Sequence, residues 1–354
     1  MAEPVFSRQL LTWWDKHGRK DLPWQHPRSP YRVWVSEIML QQTQVKTVIP
    51  YFNRFIDRFP DIKSLAGAST DEVLGHWSGL GYYARARNLQ KAAKICVAEH
   101  QAELPKSPVE LLALPGIGES TANAIFSQAY DIPAVILDGN VKRVLSRYCA
   151  VEGWPGKPDI HKKLWKMAGE MLPDNRGADY SQAVMDLGAT LCTRSKPACE
   201  ECPVQTNCKA FELDSVPDFP ARKPRTKIAK KSFQMLILVN GKGRVLLERR
   251  PPSGIWGGLW SLPANDDGSL LESRFGIESG QIQSLPYLKH QLTHIQMNIQ
   301  PLLAHSEPLS KGVECTSEQK WFGPNDWPEL GLPKPVRQLL ETYLESSEND
   351  RTDG

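Results

Sequence analysis

The 354-residue sequence has no run of 18 apolar residues, so no membrane-spanning helix is expected. Its first 20 residues are charged and amphipathic and lack the apolar core of a secretory signal peptide. Neither sign of charge is in strong excess, because the chain has 43 Lys and Arg residues and 40 Asp and Glu residues, which gives a net charge of +3. This mild basicity permits a polyanionic partner without requiring one. Together these features predict a cytoplasmic protein.

Strand-like alternation of apolar and polar residues is missing from the first part of the chain. Over residues 5–210 the apolar residues recur at helical spacing, which predicts an all-α domain that covers residues 1–214. Residues 215–231 are rich in proline and positive charge and predict a linker. A solvated tether is favoured there over a contact with a phosphate backbone.

The periodicity changes to two residues after this linker. Residues 233–239, 244–248 and 295–299 predict strands, and the Asn-Gly-Lys-Gly run at 240–243 predicts a hairpin turn. Residues 336–344 predict a closing helix. This order predicts a smaller α+β domain over residues 232–346, followed by a polar, frayed tail at residues 347–354.

A Pro-Gly-Ile-Gly turn lies between two helical patterns at about residues 108–130. Gly116 and Gly118 lack Cβ atoms, which permits a tight turn and the close approach of another backbone. The following helix presents unpaired N–H groups, for which an anion is a suitable partner. Asp138 precedes a further helix, and Lys142 lies one turn after it. Two readings fit: a helix-turn-helix core with Asp138 as an N-cap, and a phosphate clamp that holds a nucleic acid against a catalytic carboxylate.

Four of the seven cysteines fall within one short segment, which favours a metal site over a disulfide framework. They are Cys192, Cys199, Cys202 and Cys208. Thiolates bind both zinc and iron–sulfur clusters. The six-residue first spacing is longer than the usual zinc-knuckle step and favours a [4Fe-4S] cluster. Basic residues around the ligands suggest a structural cluster that shapes a DNA-facing loop.

Glu37 lies in a helical pattern between apolar residues on both sides. A carboxylate in such surroundings is desolvated, which raises its pKa and keeps it protonated to higher pH. The alternative is a surface Glu on an amphipathic helix, which the flanking apolar residues disfavour.

These motifs together resemble a known enzyme family. The Leu-Pro-Gly-Ile-Gly run at 114–118 resembles the helix-hairpin-helix of base-excision DNA glycosylases, and Asp138 with the cysteine spacing resembles the endonuclease III superfamily. Residues 34–43, residues 79–88 and the second domain narrow the resemblance to the MutY family of adenine DNA glycosylases, over about residues 6–344. It implies a monomeric, nucleoid-associated bacterial enzyme. Such an enzyme removes adenine mispaired with 8-oxoguanine or guanine in double-stranded DNA and thereby prevents G:C to T:A transversions.

The resemblance implies a role for each catalytic candidate. Glu37 corresponds to the general acid that protonates adenine, and Asp138 to the carboxylate that stabilises the oxocarbenium-like sugar. Asn140 would orient Asp138 or the water, although a plain polar residue in the first helical turn is an alternative. Bifunctional relatives carry a lysine nucleophile where this chain has Ser120, so a monofunctional glycosylase is predicted. Lys142 could contact phosphate or trap the product adventitiously.

Base recognition is also implied by the resemblance, since the target adenine must leave the stack. Gln42 and Tyr82 would fill the gap and hold the opposite base, with Thr43 and Leu80 near 8-oxoguanine; core packing is the alternative for Tyr82. The residues expected around the flipped adenine are Lys20, Trp24, Leu40, Ser120 and Gln182.

Residues 251–263 resemble the entrance to a NUDIX fold. The Arg-Glu-x-x-Glu-Glu run that binds Mg²⁺ in NUDIX hydrolases is missing, and Glu272 alone cannot replace it, so binding without hydrolysis is predicted. A Phe-Ser-His loop recognises 8-oxoguanine in the family. Here the matching residues are Leu292, Thr293 and His294, so a hydroxyl and the imidazole are kept and the aromatic ring is lost.

Three other functions compete with this hypothesis. A non-catalytic iron–sulfur DNA-binding protein would need neither Glu37 nor Asp138. A pyrimidine-lesion glycosylase/lyase is disfavoured by Ser120, and a NUDIX-type nucleotide hydrolase by the missing glutamates.

Overall fold

Helices without strands make up the described residues before residue 225, as the apolar spacing predicts. The computed structural model describes residues 3–224, 228–265, 270–292, 295–306 and 318–344. None of the described helices is long and apolar enough to cross a membrane. The helices of this part are α1 Val5–His17, α2 Pro30–Leu40, α3 Val45–Arg58, α4 Ile62–Gly67, α5 Thr70–Trp77, α6 Ala84–Glu99, α7 Pro108–Ala113, α8 Glu119–Tyr130, α9 Gly139–Tyr148, α10 Pro158–Glu170, α11 Gly177–Thr190 and α12 Lys209–Glu212.

Side-chain caps fix where several of these helices begin. The Ser29 hydroxyl accepts a hydrogen bond from the Arg32 N–H at 3.3 Å at the start of α2, and Pro30 follows it at the first helical position. The Asp138 carboxylate accepts from the Val141 N–H at 2.8 Å at the start of α9. Because such a cap depends only on neighbouring residues, the start of α9 after Asp138 could be predicted from the sequence, whereas the Ser29 cap was not predicted.

The described residues of the later part of the chain form a seven-stranded sheet with two further α-helices. These elements are β1 Ala229–Asn240, β2 Val245–Arg249, β3 Trp260–Ser261, α13 Leu271–Phe275, β4 Ile282–Ser284, β5 Leu288–Gln291, β6 Ile295–Ser306, β7 Gln319–Phe322 and α14 Lys334–Leu344. Four of the strands, β3, β4, β5 and β7, have no counterpart in the sequence prediction. They have two to four residues each, too few to show a period.

Strand β1 lies at the centre of the sheet between β2 and β6. It pairs with β6 in parallel, from Ala229 opposite Ile295 to Asn240 opposite Ser306, and with β2 through the predicted hairpin turn. Alternate residues of β1 enter two separate apolar cores, with Ile237 on one face and Leu238 on the other. Burial on both faces explains the nearly continuous apolar run in this strand.

The chain forms two compact units, and each unit comprises two separate segments of the sequence. The helical unit comprises residues 1–67 and 88–224, and the sheet unit comprises residues 68–87 and 225–354. The sheet unit therefore includes α5 and the Gly-rich segment after it. The all-α first part, the α+β second part and the domain families found below confirm the predicted fold class.

Several contacts hold residues 68–87 within the sheet unit. Arg249 donates to both carboxylate oxygens of Asp71, at 2.7 and 2.6 Å. Arg87 donates to the Gly257 carbonyl and, at 3.1 Å, to the Pro252 carbonyl. Gly75 is needed inside α5, because a Cβ there would lie 2.6 Å from the Glu329 carbonyl oxygen. A glycine at this helical position thus serves close backbone packing.

Candidate active site

A solvent-open cavity of about 970 Å³ in the helical unit brings most of the predicted site residues together. Lys20 is not among its lining residues; its ammonium group donates to the Asp15 carbonyl at 2.6 Å and lies over the Trp14 ring. The adjacent Arg19 lines the cavity instead. The predicted residues that line it are Trp24, Glu37, Leu40, Gln42, Thr43, Ser120, Asp138, Asn140 and Gln182.

Glu37 reaches this cavity from α2 and is half-buried. Burial, together with the nearby charge of Asp138, raises the pKa of its carboxyl group to about 7. A hydrogen bond from the Gln128 side chain, with Nε2 2.7 Å from Oε1 of Glu37, acts in the opposite direction. Glu37 can therefore hold a proton near neutral pH and release it to a bound group.

Asp138 lines the same cavity as the N-cap of α9. Burial raises its pKa, whereas the N–H groups of Val141 and Asn140 and the charge of Arg143 lower it. The Asn140 side-chain amide also lies 3.4 Å from Oδ2 of Asp138. Within the described part of the chain, Asp138 accepts hydrogen bonds from more donors than Glu37, which accepts from Gln128 alone. The ionised form is therefore better stabilised at Asp138 than at Glu37.

The predicted hairpin consists of α7, a turn and α8. Gly116 has a φ of +83°, a conformation that favours glycine, and Gly118 is the N-cap of α8 with open space where a Cβ would stand. The Ser120 hydroxyl accepts from the Leu137 N–H at 3.2 Å and so connects α8 to the residue before Asp138. Lys142 is half-buried in α9, and burial lowers its pKa.

A buried carboxylate that was not among the predicted site residues orients two residues of the cavity. Asp186 is 1% exposed and accepts hydrogen bonds from the Arg19 guanidinium at 2.7 and 2.8 Å and from Gln182 Nε2 at 2.7 Å. Gln182 and Asp186 are one turn apart on α11, which was the available sequence clue. The ion pair therefore explains why Arg19, and not Lys20, lines the site.

Two arginines of α9 connect the cavity to the cysteine segment. Arg143 donates to the Asn140 side-chain oxygen at 2.9 Å and to the Cys192 carbonyl at 2.7 Å. Arg147, which is buried, donates to the Thr193 carbonyl at 2.7 Å and lies 3.4 Å from the Cys192 sulfur. The helix that begins at Asp138 thus also fixes the start of the cysteine segment.

The four clustered cysteines line one small cavity of about 30 Å³. Each is a free thiol and is half-buried. Within the described residues no group of three or more His, Cys, Asp or Glu side chains is arranged to hold a single metal ion. Four converging thiols with a guanidinium beside them fit a larger, negatively charged iron–sulfur cluster.

Two residues predicted to read the mispair adopt left-handed backbone conformations, which are uncommon for residues other than glycine. Gln42 has a φ of 60° and Tyr82 a φ of 50°. Tyr82 is 47% exposed, which argues against the core-packing alternative, whereas Leu80 is buried. Gln42 belongs to the helical unit, and Leu80 and Tyr82 belong to the sheet unit.

The predicted recognition loop falls mostly outside the described residues, since Thr293 and His294 are not among them. Leu292 is half-buried, packs against the sheet-unit core and donates its N–H to the Ile295 carbonyl at 2.8 Å. The residue that replaces the aromatic ring of the family therefore has a packing role.

Three family models match successive parts of the chain. Residues 35–170 match the HhH-GPD superfamily of base excision DNA repair proteins, residues 192–208 match the iron–sulfur binding domain of endonuclease III, and residues 234–342 match the NUDIX domain.

Relatives that align over nearly the whole of this chain are found in bacteria and in animals. An adenine DNA glycosylase of Buchnera aphidicola is 38% identical, with 96% of this chain and 97% of the relative covered. The human adenine DNA glycosylase is 35% identical, with 96% and 74% covered. Among solved structures, a thermostable thymine-DNA glycosylase is 28% identical with a TM-score of 0.54, over 59% of this chain and 96% of that one.

Proposed function

The chain belongs to the adenine DNA glycosylase family, and on this basis we propose that it releases adenine mispaired with 8-oxoguanine or guanine in double-stranded DNA. Its relatives establish it as a DNA glycosylase of base excision repair that binds DNA. A purely DNA-binding role is therefore set aside. The choice of mispair and the roles of individual residues are part of the proposal.

The observation that carries the proposal is the pair of unlike carboxylates in one cavity. Glu37, with a pKa of about 7, is partly protonated near neutral pH and serves as the general acid. Asp138 accepts from more donors than Glu37, is the better stabilised of the two as a carboxylate, and lines the same cavity. Binding of DNA alone would need neither group, whereas cleavage of an N-glycosidic bond needs both an acid for the leaving base and a negative charge for the sugar.

The mechanism follows from these two environments. Glu37 donates its proton to adenine, at N7 by family resemblance, and the bond between the base nitrogen and C1′ breaks with its electron pair on the base. Positive charge then develops on the sugar, and the Asp138 carboxylate stabilises it. Asn140 orients Asp138 through its amide. A water molecule adds to C1′ and gives up a proton to the Glu37 carboxylate, which restores the acid and completes hydrolysis.

The chemistry stops at base release in this proposal because Ser120, which lines the cavity, occupies the position that holds the lysine nucleophile in bifunctional relatives. With an adenine·8-oxoguanine duplex we expect strand cleavage only after alkali treatment, and no covalent adduct with borohydride. Adenine·guanine should also be a substrate, and adenine·thymine should not. Nicking that keeps pace with base release, before alkali, would contradict a monofunctional enzyme.

Release of adenine from none of these duplexes, by protein that contains its cluster, would contradict the proposed function itself. We propose that the cluster is of the [4Fe-4S] type, held by Cys192, Cys199, Cys202 and Cys208, and that the protein acts as a monomer. When bound, the cluster supplies structural cross-links between its ligands. The arginines of α9 then hold the cysteine segment against the helix that begins at Asp138.

The opposite base is read, in this proposal, by Gln42, Thr43, Leu80, Tyr82, Thr293 and His294. Lys142, Gly116 and Gly118 contact the phosphates. The remaining pocket residues, Trp24, Leu40, Ser120 and Gln182, surround the flipped adenine, and the contacts of Lys20 favour a supporting role through Asp15.

The ion pair between Arg249 and Asp71 should matter for mispair binding more than for bond cleavage, because it holds the segment that carries Tyr82 within the sheet unit. Arg249→Asp should weaken binding of an adenine·8-oxoguanine duplex about five-fold and leave the single-turnover rate at saturating protein almost unchanged, since a partly exposed pair contributes about 1 kcal/mol. The double variant Asp71→Arg/Arg249→Asp should restore part of the affinity. If the double variant loses as much affinity for the duplex as Arg249→Asp alone, the ion pair has no role in binding.

A further inference from the structure

The amide of Gln128 contacts the proposed general acid from a position that the catalytic proposal leaves without a role. Gln128 lies on α8, is 3% exposed, and places Nε2 2.7 Å from Oε1 of Glu37. Its helical neighbours Ile125 and Ala124 are buried and apolar. Burial of an amide costs free energy that burial of an apolar side chain would not. The hydrogen bond to Glu37 offsets this cost and indicates that Glu37 is the partner for which the amide is present.

We propose that Gln128 is a positioning residue that keeps Oε1 of Glu37 as an acceptor and thereby assigns the transferable proton to Oε2. This inference rests on the proposed role of Glu37 as general acid. It goes further by specifying which oxygen carries the proton and which protein group selects it.

The stereochemistry of a carboxyl group gives the reason. A protonated carboxyl group has one O–H and one carbonyl oxygen, and an N–H donor favours the carbonyl oxygen because it is the better acceptor. With Nε2 of Gln128 on Oε1, the O–H is placed on Oε2, where the described residues provide no hydrogen-bond partner in competition with substrate. Since Glu37 lines the cavity, the proton is then available to a base bound there.

The hydrogen bond from Gln128 also stabilises the Glu37 carboxylate after the proton has been released. An N–H donor stabilises the carboxylate more than the neutral acid, whereas burial and the charge of Asp138 disfavour it. Gln128 thus limits the rise in pKa that burial would cause, which keeps the acid strong enough to protonate adenine near neutral pH. The other charged side chains that line the cavity are Arg19, Lys46, Arg143 and Arg194.

Replacement of Gln128 by methionine tests this assignment, because methionine has a similar volume and no N–H. The readout is the single-turnover rate of adenine release from an adenine·8-oxoguanine duplex between about pH 5.5 and pH 9. Loss of a bond to a charged group should raise the pKa of Glu37, so the fall in rate at alkaline pH should move upward by about one pH unit. Gln128→Leu, with a different shape, should move it in the same direction.

Ser127→Ala is the matched control. Ser127 is the neighbouring buried polar residue of α8 and bonds to the Gly177 carbonyl and to Ser181, not to Glu37. Its loss can weaken packing but should leave the alkaline fall where it is. Thermal unfolding of each variant measures any loss of stability separately from the pH profile.

An upward shift in both Gln128 variants supports the assignment. An unchanged profile with a uniformly lower rate overturns it, since that is the result of a merely structural role. A downward shift also overturns it, because the amide would then present its oxygen to a protonated Oε1. If the unsubstituted protein shows no alkaline fall, or Glu37→Gln retains full activity, the role of Glu37 itself fails, and this is visible without any Gln128 variant.

Discussion

Protein with Glu37→Gln is expected to bind an adenine·8-oxoguanine duplex with nearly unchanged affinity and to release adenine about 10²–10⁴-fold more slowly, the usual contribution of a general acid. Glutamine has the shape of glutamate, and its oxygen can still accept from Gln128, so the local structure of α2 should persist. The variant lacks only the transferable proton. Single-turnover base release and equilibrium binding, measured on the same duplex, separate the two effects.

Glu99→Gln provides the matched control for this variant. Glu99 is the last residue of α6 and is exposed, so loss of its charge should change neither rate nor affinity. A Glu37→Gln protein that keeps more than about a tenth of the rate would contradict the general-acid role, since general acid catalysis contributes at least about 10²-fold.

Asp138→Asn is expected to reduce base release about 10²–10³-fold, as does removal of one preorganised group that stabilises transition-state charge. Asparagine is as good an N-cap as aspartate, so it can still accept from the Val141 N–H at the start of α9. The melting temperature should therefore change little while the rate falls. This combination would attribute the loss to the missing negative charge and not to a frayed helix.

Asp131→Asn is the corresponding control at the other end of the hairpin. Asp131 ends α8 in a left-handed conformation that asparagine tolerates, and its carboxylate accepts from the Ala178 N–H at 2.8 Å. Its substitution should leave base release within about two-fold, because surface substitutions are mostly small in effect. If Asp138→Asn instead lowers the rate no more than Asp131→Asn, Asp138 is only a cap.

Local features of this protein could be predicted from the sequence because their causes are local. The N-cap at Asp138 depends on the residues that directly follow it, and the desolvation of Glu37 depends on its apolar neighbours within one helix. The long strand β1 was apparent for the same reason, since five successive apolar residues lie in its C-terminal half.

Contacts between distant segments could not be predicted in this way. Glu37 and Gln128 are 91 positions apart, and neither residue type identifies the other as its partner. The choice between Arg19 and Lys20 depends on a buried carboxylate 167 positions after Arg19. Adjacent cations in a nonhelical segment look equivalent in the sequence, and the partner that distinguishes them is supplied only by the fold.

The membership of residues 68–87 in the sheet unit has a consequence for how this protein can be divided or recombined. A fragment that ends at residue 224, where the helical unit ends, would retain Asp71 without Arg249 and Arg87 without its two carbonyl partners. If such a fragment lost activity, the loss would have two causes: the missing second domain and the loss of the contacts that hold α5 and the segment after it. A chimera of two family members should therefore take residues 68–87 and the C-terminal region from the same parent, because these two segments form one compact unit.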